Sequence, residues 1–132
     1  MKTLVLLGRI LFSLIFLTSG LNHFSNQSID YAAAQGVPLS SLIVPASGIL
    51  AILGALSIIL GYNAKLGAWL IVLFLVPVTL MMHNFWTITD PMMKQMQMAM
   101  FMKNISILGA ALLICYFGAG PLSIDNKSAK LN

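Results

Sequence analysis

SLIVPASGILAILGALSIILGYNAKLGAWLIVLFLVPVTLMM, residues Ser41 to Met82, holds two long apolar runs parted by a few polar residues, and Lys65 is its only charge. Each run, Leu42 to Leu60 and Leu66 to Met82, comes close to the roughly 20 residues that a helix needs to cross hydrocarbon. In lipid every backbone N–H and C=O must find a partner inside its own segment, so runs this long with so little polar alternation are helices. Gly61-Tyr62-Asn63 leaves room for little besides a turn, which makes the two helices antiparallel neighbours. Pro45 is expected in the first turn of one, where a missing N–H costs little, and Pro77 lies inside the other, where it frees the Leu73 carbonyl.

Working outward, Leu4 to Leu21 and Ala99 to Phe117 are runs of the same kind. The whole chain has 132 residues, of which 59% are hydrophobic and 8% charged, and its mean hydropathy is +0.95. That balance excludes an ordinary water-soluble domain. The expectation is an all-α integral membrane four-helix bundle, a single domain over 1–132, with spans at 4–21, 42–60, 66–82 and 99–117. An interfacial helix is expected at 28–36, starting on Ser28 and ending at Gly36, and a polar C-terminal tail at 121–132. Arg9 interrupts the first run and no cleavage pattern follows Gly20, so that run reads as a span and not as a signal peptide.

The three acids are Asp30, Asp90 and Asp125, and the seven bases are scattered from Lys2 to Lys130. No basic cluster exists for nucleic acid. Lys2, Arg9, Lys65, Lys127 and Lys130 outweigh Lys94 and Lys103, which orients the chain with both termini in the cytoplasm. Cys115 is alone, so no intramolecular disulfide forms.

With that orientation, polar residues from three helix ends meet at the outer face: Asn22 and His23 after the first span, His83, Asn84 and Trp86 after the third, Lys103 and Asn104 at the start of the fourth. Charged and imidazole groups at that depth need partners, so a ligand pocket is expected there. Taken singly, Tyr31, Phe85 and Trp86 read as interfacial anchors. Arg9 is a structural intramembrane charge that snorkels or bonds helix-end carbonyls or Tyr116. Ser47, Gly54 and Gly61 recur at seven and offer a small-residue face for a closely packed helix. His23 and His83 lack the further ligands of a metal site, so no metal is expected.

MMKQMQMAMFMK, Met92 to Lys103, carries six of the nine methionines. Thioether clusters bind Cu(I), but the supporting Cys and close-set His are missing. Methionine is a flexible apolar helix former, and the stretch reads as the doorway of the fourth span, with Met92 to Met98 outside it.

The pieces LGRILFSLIFLTSGLNHF, YAAAQGVPLSSL, GYNAKLGAWL, HNFW, FMKNISILGAALLI and GAGPLSID, in that order, resemble the DoxX family of small bacterial inner-membrane proteins, its YphA-like branch in particular. The resemblance implies a four-helix fold, the bacterial inner membrane and an association with redox biology. Its recurring polar positions fall on Arg9, Asn22, His83, Lys103 and Asn104. Many DoxX relatives carry an acid where Ala51 stands here, so this chain lacks an intramembrane carboxylate. Two functions are expected on this basis. One is a subunit of a redox system that holds a quinone at His83, Lys103 and Asn104 beside Trp86, working with a membrane or periplasmic partner protein or as a homo-oligomer. The other is a non-catalytic scaffold or small-molecule transporter that meets its partner through Ser47, Gly54 and Gly61.

Overall fold

The computed structural model describes residues 1–128, and these are helical with no strand among them. Four helices are long and apolar enough to cross a membrane: α1 (Lys2–Asn22), α3 (Ser40–Leu60), α4 (Ala64–Met82) and α5 (Pro91–Phe117). A short α2 (Asn26–Ala34) lies between the first two, a 3-10 turn (Phe85–Thr87) precedes α5, and α6 (Ile124–Ser128) follows it. Ala129 to Asn132, the end of the expected tail with Lys130, lie outside the described residues.

Each crossing helix begins earlier than its apolar run, because hydropathy marks the greasy stretch and not the polar turn that starts a helix. The largest difference is in α5, expected from Ala99. It starts at Pro91, whose missing N–H is spare at that position, and the Asp90 carboxylate accepts the Met93 N–H at 2.8 Å. The methionine stretch is therefore helical throughout. At 27 residues, α5 is roughly 40 Å long, so a turn or more projects beyond hydrocarbon about 30 Å thick. α2 is capped by Ser25, not Ser28: the Ser25 hydroxyl accepts the Ser28 N–H at 3.2 Å. Pro45 lies deeper than the first turn, because α3 begins at Ser40.

Between helices in lipid, close packing replaces the hydrophobic drive that operates in water, and small residues allow it. α1 packs on α3, α3 on α4, and α4 on α5. A Cβ on Gly48 would stand 2.7 Å from the Gly20 carbonyl oxygen, and one on Gly54 would stand 2.8 Å from that of Gly67. Backbones touch at both crossings. Around them lie Phe16, Ala51, Ala55, Ile58, Ala68, Ile71, Phe74, Leu75 and Ala111, all buried.

The turn between α3 and α4 is tied to the end of the chain. Gly61 takes the left-handed conformation that a side chain resists, φ +65°. Its carbonyl accepts the Asp125 N–H at 2.8 Å, while the Asp125 carboxylate accepts the N–H groups of Asn63 at 2.8 Å and Ala64 at 3.1 Å. A residue some sixty positions away thus caps α4. Beside it the guanidinium of buried Arg9 donates to the carbonyls of Ala119 at 3.2 Å and Leu122 at 2.6 Å, not to Tyr116, which is 75% exposed. Arg9 Nε and Ser13 Oγ, one turn apart, are buried without a partner among the described residues.

Candidate functional site

The end of the molecule away from the Gly61 turn is built differently. There α3 and α4, which touch at Gly54 and Gly67, are separated by a cavity of about 570 Å³. Its walls are Ile43, Val44, Ala46, Ser47 and Leu50 of α3 and Leu73, Phe74, Pro77, Val78 and Met81 of α4. α2 lies across it through Ser28, Tyr31 and Ala32, and the end of α1 adds Ser19 and His23. His83, directly after α4, completes the rim.

The sequence accounts for this local shape. α1 must stop at Asn22 for α2 to turn over α3, and His23 falls on the stop. Its Nδ1 lies 2.9 Å from the Ser47 hydroxyl and 3.3 Å from the Val44 carbonyl, and its ring packs 5.4 Å from that of Phe74. Burial pushes this imidazole below its ordinary pKa, against a smaller opposing pull from the Val44 carbonyl. His83 Nδ1 lies 2.7 Å from Gln97 Oε1, which joins the rim to α5.

Of the residues expected to converge, His23 and His83 share this cavity and the others do not line it. Asn22 is exposed at the end of α1. Asn84 starts the 3-10 turn, and Trp86 stands edge-on to Phe85 and Phe101 in an aromatic cluster between that turn and α5. Lys103 is exposed and donates to the Met100 sulfur at 3.4 Å. Asn104 is buried at 7% exposure on α5. The convergence was argued from depth alone, and depth does not fix the rotation of a helix about its axis. Tyr31, Ser47 and Gln97 were missed as members of the site. The signal for Ser47 was its place about two turns inside α3 opposite a helix-ending histidine, whereas Gln97 has no local signal.

The small-residue face is consumed inside the chain. Ser47 meets His23, Gly54 meets Gly67, and Gly61 meets Arg9 and Ser123. No partner protein is needed to explain it. Among the described residues no group of three His, Cys, Asp or Glu side chains is placed to hold a metal ion. A shallower hollow at the opposite end, lined by Asn63, Lys65, Gly118 and Asp125, has its carboxylate committed to capping α4.

A four-helix membrane chain of this kind can be compared with known families over its whole length, and a model of the SURF4 family matches residues 1–131. The chain belongs to the SURF4 family. Among SURF4-like relatives, Inner membrane protein YphA of Escherichia coli is 29% identical over 126 residues, covering 94% of this chain and 89% of that protein. Inner membrane protein YqjF of the same organism is 29% identical over 123 residues, 92% of this chain and 88% of that protein. The ER-derived vesicles protein ERV29 of Saccharomyces cerevisiae is 30% identical over 79 residues, 60% of this chain and 25% of that protein. No solved structure matches.

The resemblance to the DoxX family is corrected by this match. The pieces that carried it are mostly apolar residues with a little glycine and proline punctuation, which unrelated four-span bundles share. The comparison of Ala51 with an acidic position loses its basis too; Ala51 is fully buried in the core. With four spans and two nearly full-length relatives in the inner membrane of a bacterium, the chain is a multi-pass protein of the bacterial inner membrane.

Proposed function

We propose that this chain is a non-catalytic binding protein of the membrane, holding an apolar small molecule in the cavity between α3 and α4 with the polar end of that molecule at the rim. The observation that carries this is the pairing of His23 and His83, from separate helix ends, over one cavity whose deeper walls are Leu50, Leu73, Phe74 and Val78. Ligand sites are commonly concave, largely apolar and furnished with a few convergent polar groups, at volumes of roughly 300–1,000 Å³. The positive charges of Lys2, Arg9, Lys65 and Lys127 at the turn end support an orientation with both termini in the cytoplasm and the rim facing the periplasm.

The redox role and the quinone were tied to the DoxX resemblance and go with it. His83 lines the cavity but Lys103, Asn104 and Trp86 do not, so the polar set expected for a quinone is not assembled there. The reading of a transporter or scaffold that works through the small-residue face loses that face to internal packing.

The test is native mass spectrometry of the protein purified in mild detergent. Wild type retains a lipid-soluble molecule, Val78→Trp loses it by filling the cavity, and Lys103→Ala retains it. Equal retention by wild type and Val78→Trp contradicts the proposal.

A further inference from the structure

We infer that the cavity takes uncharged amphiphiles whose head donates a hydrogen bond, a hydroxyl above all, drawn sideways from the bilayer. This deepens the binding reading above and rests on it.

Charge comes first. No Asp, Glu, Lys or Arg is among the described residues lining the cavity. A charged head would have to shed water at a membrane interface without gaining an opposite charge, which is costly. Phosphate-headed, carboxylate and ammonium lipids are disfavoured together.

The direction of hydrogen bonding follows from the two histidines. The Ser47 hydroxyl has one proton, and it sits 2.7 Å from the Val44 carbonyl as a donor. His23 Nδ1 faces that same carbonyl and the Ser47 oxygen, so Nδ1 carries the hydrogen and donates. At the other side His83 Nδ1 faces the Gln97 Oε1, an acceptor, so it donates as well. In its neutral form each ring is left with a bare Nε2. A lone pair at the rim of a largely apolar cavity calls for a donor on the ligand, because a head group that displaces water there without donating leaves that acceptor unmatched in the complex. A hydroxyl satisfies it, and a ketone or an ether does not.

Access is through the side. Ile43 and Ala46 of α3 and Leu73 and Pro77 of α4 line the cavity and are exposed on the outer surface as well. The opening therefore faces the acyl chains. Leu73 lies nine residues below Met82 on α4, roughly 14 Å at the helical rise, which brings the floor near the middle of a hydrocarbon layer about 30 Å thick. A ligand with its head at His23 and His83 lays its chain along the chains of one leaflet.

The experiment uses the full chain in phosphatidylcholine nanodiscs with four photoactivatable probes. They share one saturated alkyl chain bearing a mid-chain diazirine and end in a hydroxyl, a methyl ether, a sulfate or a trimethylammonium. Labelling of the peptides that hold Leu50 and Val78 is measured against labelling of exposed Leu112 and Leu113 on α5, which reports ordinary lipid contact. The hydroxyl probe is expected to label the cavity about tenfold over the other three, the discrimination that a lost hydrogen bond or an unpaired charge brings. Equal cavity labelling by the ether, or by either charged probe, overturns the inference while leaving the binding reading intact. Labelling confined to Leu112 and Leu113 for all four probes overturns both.

Discussion

The Nδ1 of His23 lies 2.9 Å from the hydroxyl of Ser47, and this contact joins the residue that follows α1 to α3 at the mouth of the cavity. Interhelical hydrogen bonds in membranes are worth roughly 0.6–1.7 kcal/mol. Ser47→Ala is expected to lower the thermal midpoint in detergent by a few degrees. The same variant should bind the hydroxyl-headed probe more weakly, because His23 loses the nearer of the two acceptors that hold its Nδ1 and keeps only the Val44 carbonyl. Unchanged stability and unchanged labelling would contradict the placement of His23.

Burial lowers the pKa of His23 in the folded protein, so the unfolded chain binds the proton more readily. The stability this lends is complete above the ordinary histidine value, near pH 6.5, and is lost as pH falls through the lower folded value. The thermal midpoint should therefore fall as pH is lowered below the ordinary histidine value, and His23→Phe should flatten that part of the profile. An identical slope in His23→Phe would place the titration elsewhere.

Asp125 caps α4 with two backbone hydrogen bonds and also donates its own N–H to Gly61. Loss of a capping carboxylate costs about 0.5–2 kcal/mol. Asp125→Ala should show that loss in a reversible unfolding measurement, and Asp125→Asn, which keeps one acceptor oxygen, should lose less. Arg9→Lys should be destabilising too, since one ammonium does not span the carbonyls of Ala119 and Leu122 as the guanidinium fork does.

Gly54 and Gly109 make an internal control. A Cβ on Gly54 meets the Gly67 carbonyl at 2.8 Å, and one on Gly109 meets nothing within 4 Å. Gly54→Ala should cost about 1–3 kcal/mol as the helices are forced apart. Gly109→Ala should be neutral or stabilising by up to about 1 kcal/mol through helix propensity. Matching effects in the two variants would contradict the α3–α4 crossing.

Much of the fold was legible because lipid permits few alternatives. Once the runs on either side of Gly61-Tyr62-Asn63 are helices, the turn sets them side by side, and the structure has α3 packed on α4. Gly54 was visible as part of a repeat, but its partner Gly67, and the helix it would meet, were not. Asp125 illustrates the limit: its partners, Asn63 and Ala64, are far off in sequence, and nothing near Asp125 indicates that it caps another helix. The site was half legible for the same reason. His23 and His83 end their helices, where position alone brings them to the rim, whereas Lys103 and Asn104 lie on α5, where rotation decides what they face.

The most direct test of a ligand seated between α3 and α4 is the nuclear Overhauser effect from the chain protons of a long-chain alcohol to protein methyl groups in otherwise deuterated nanodiscs. Strong effects are expected at Leu50 and Val78, both partly shielded from lipid. Effects confined to outward-facing leucines such as Leu112 and Leu113, with none at Leu50 or Val78, would contradict it.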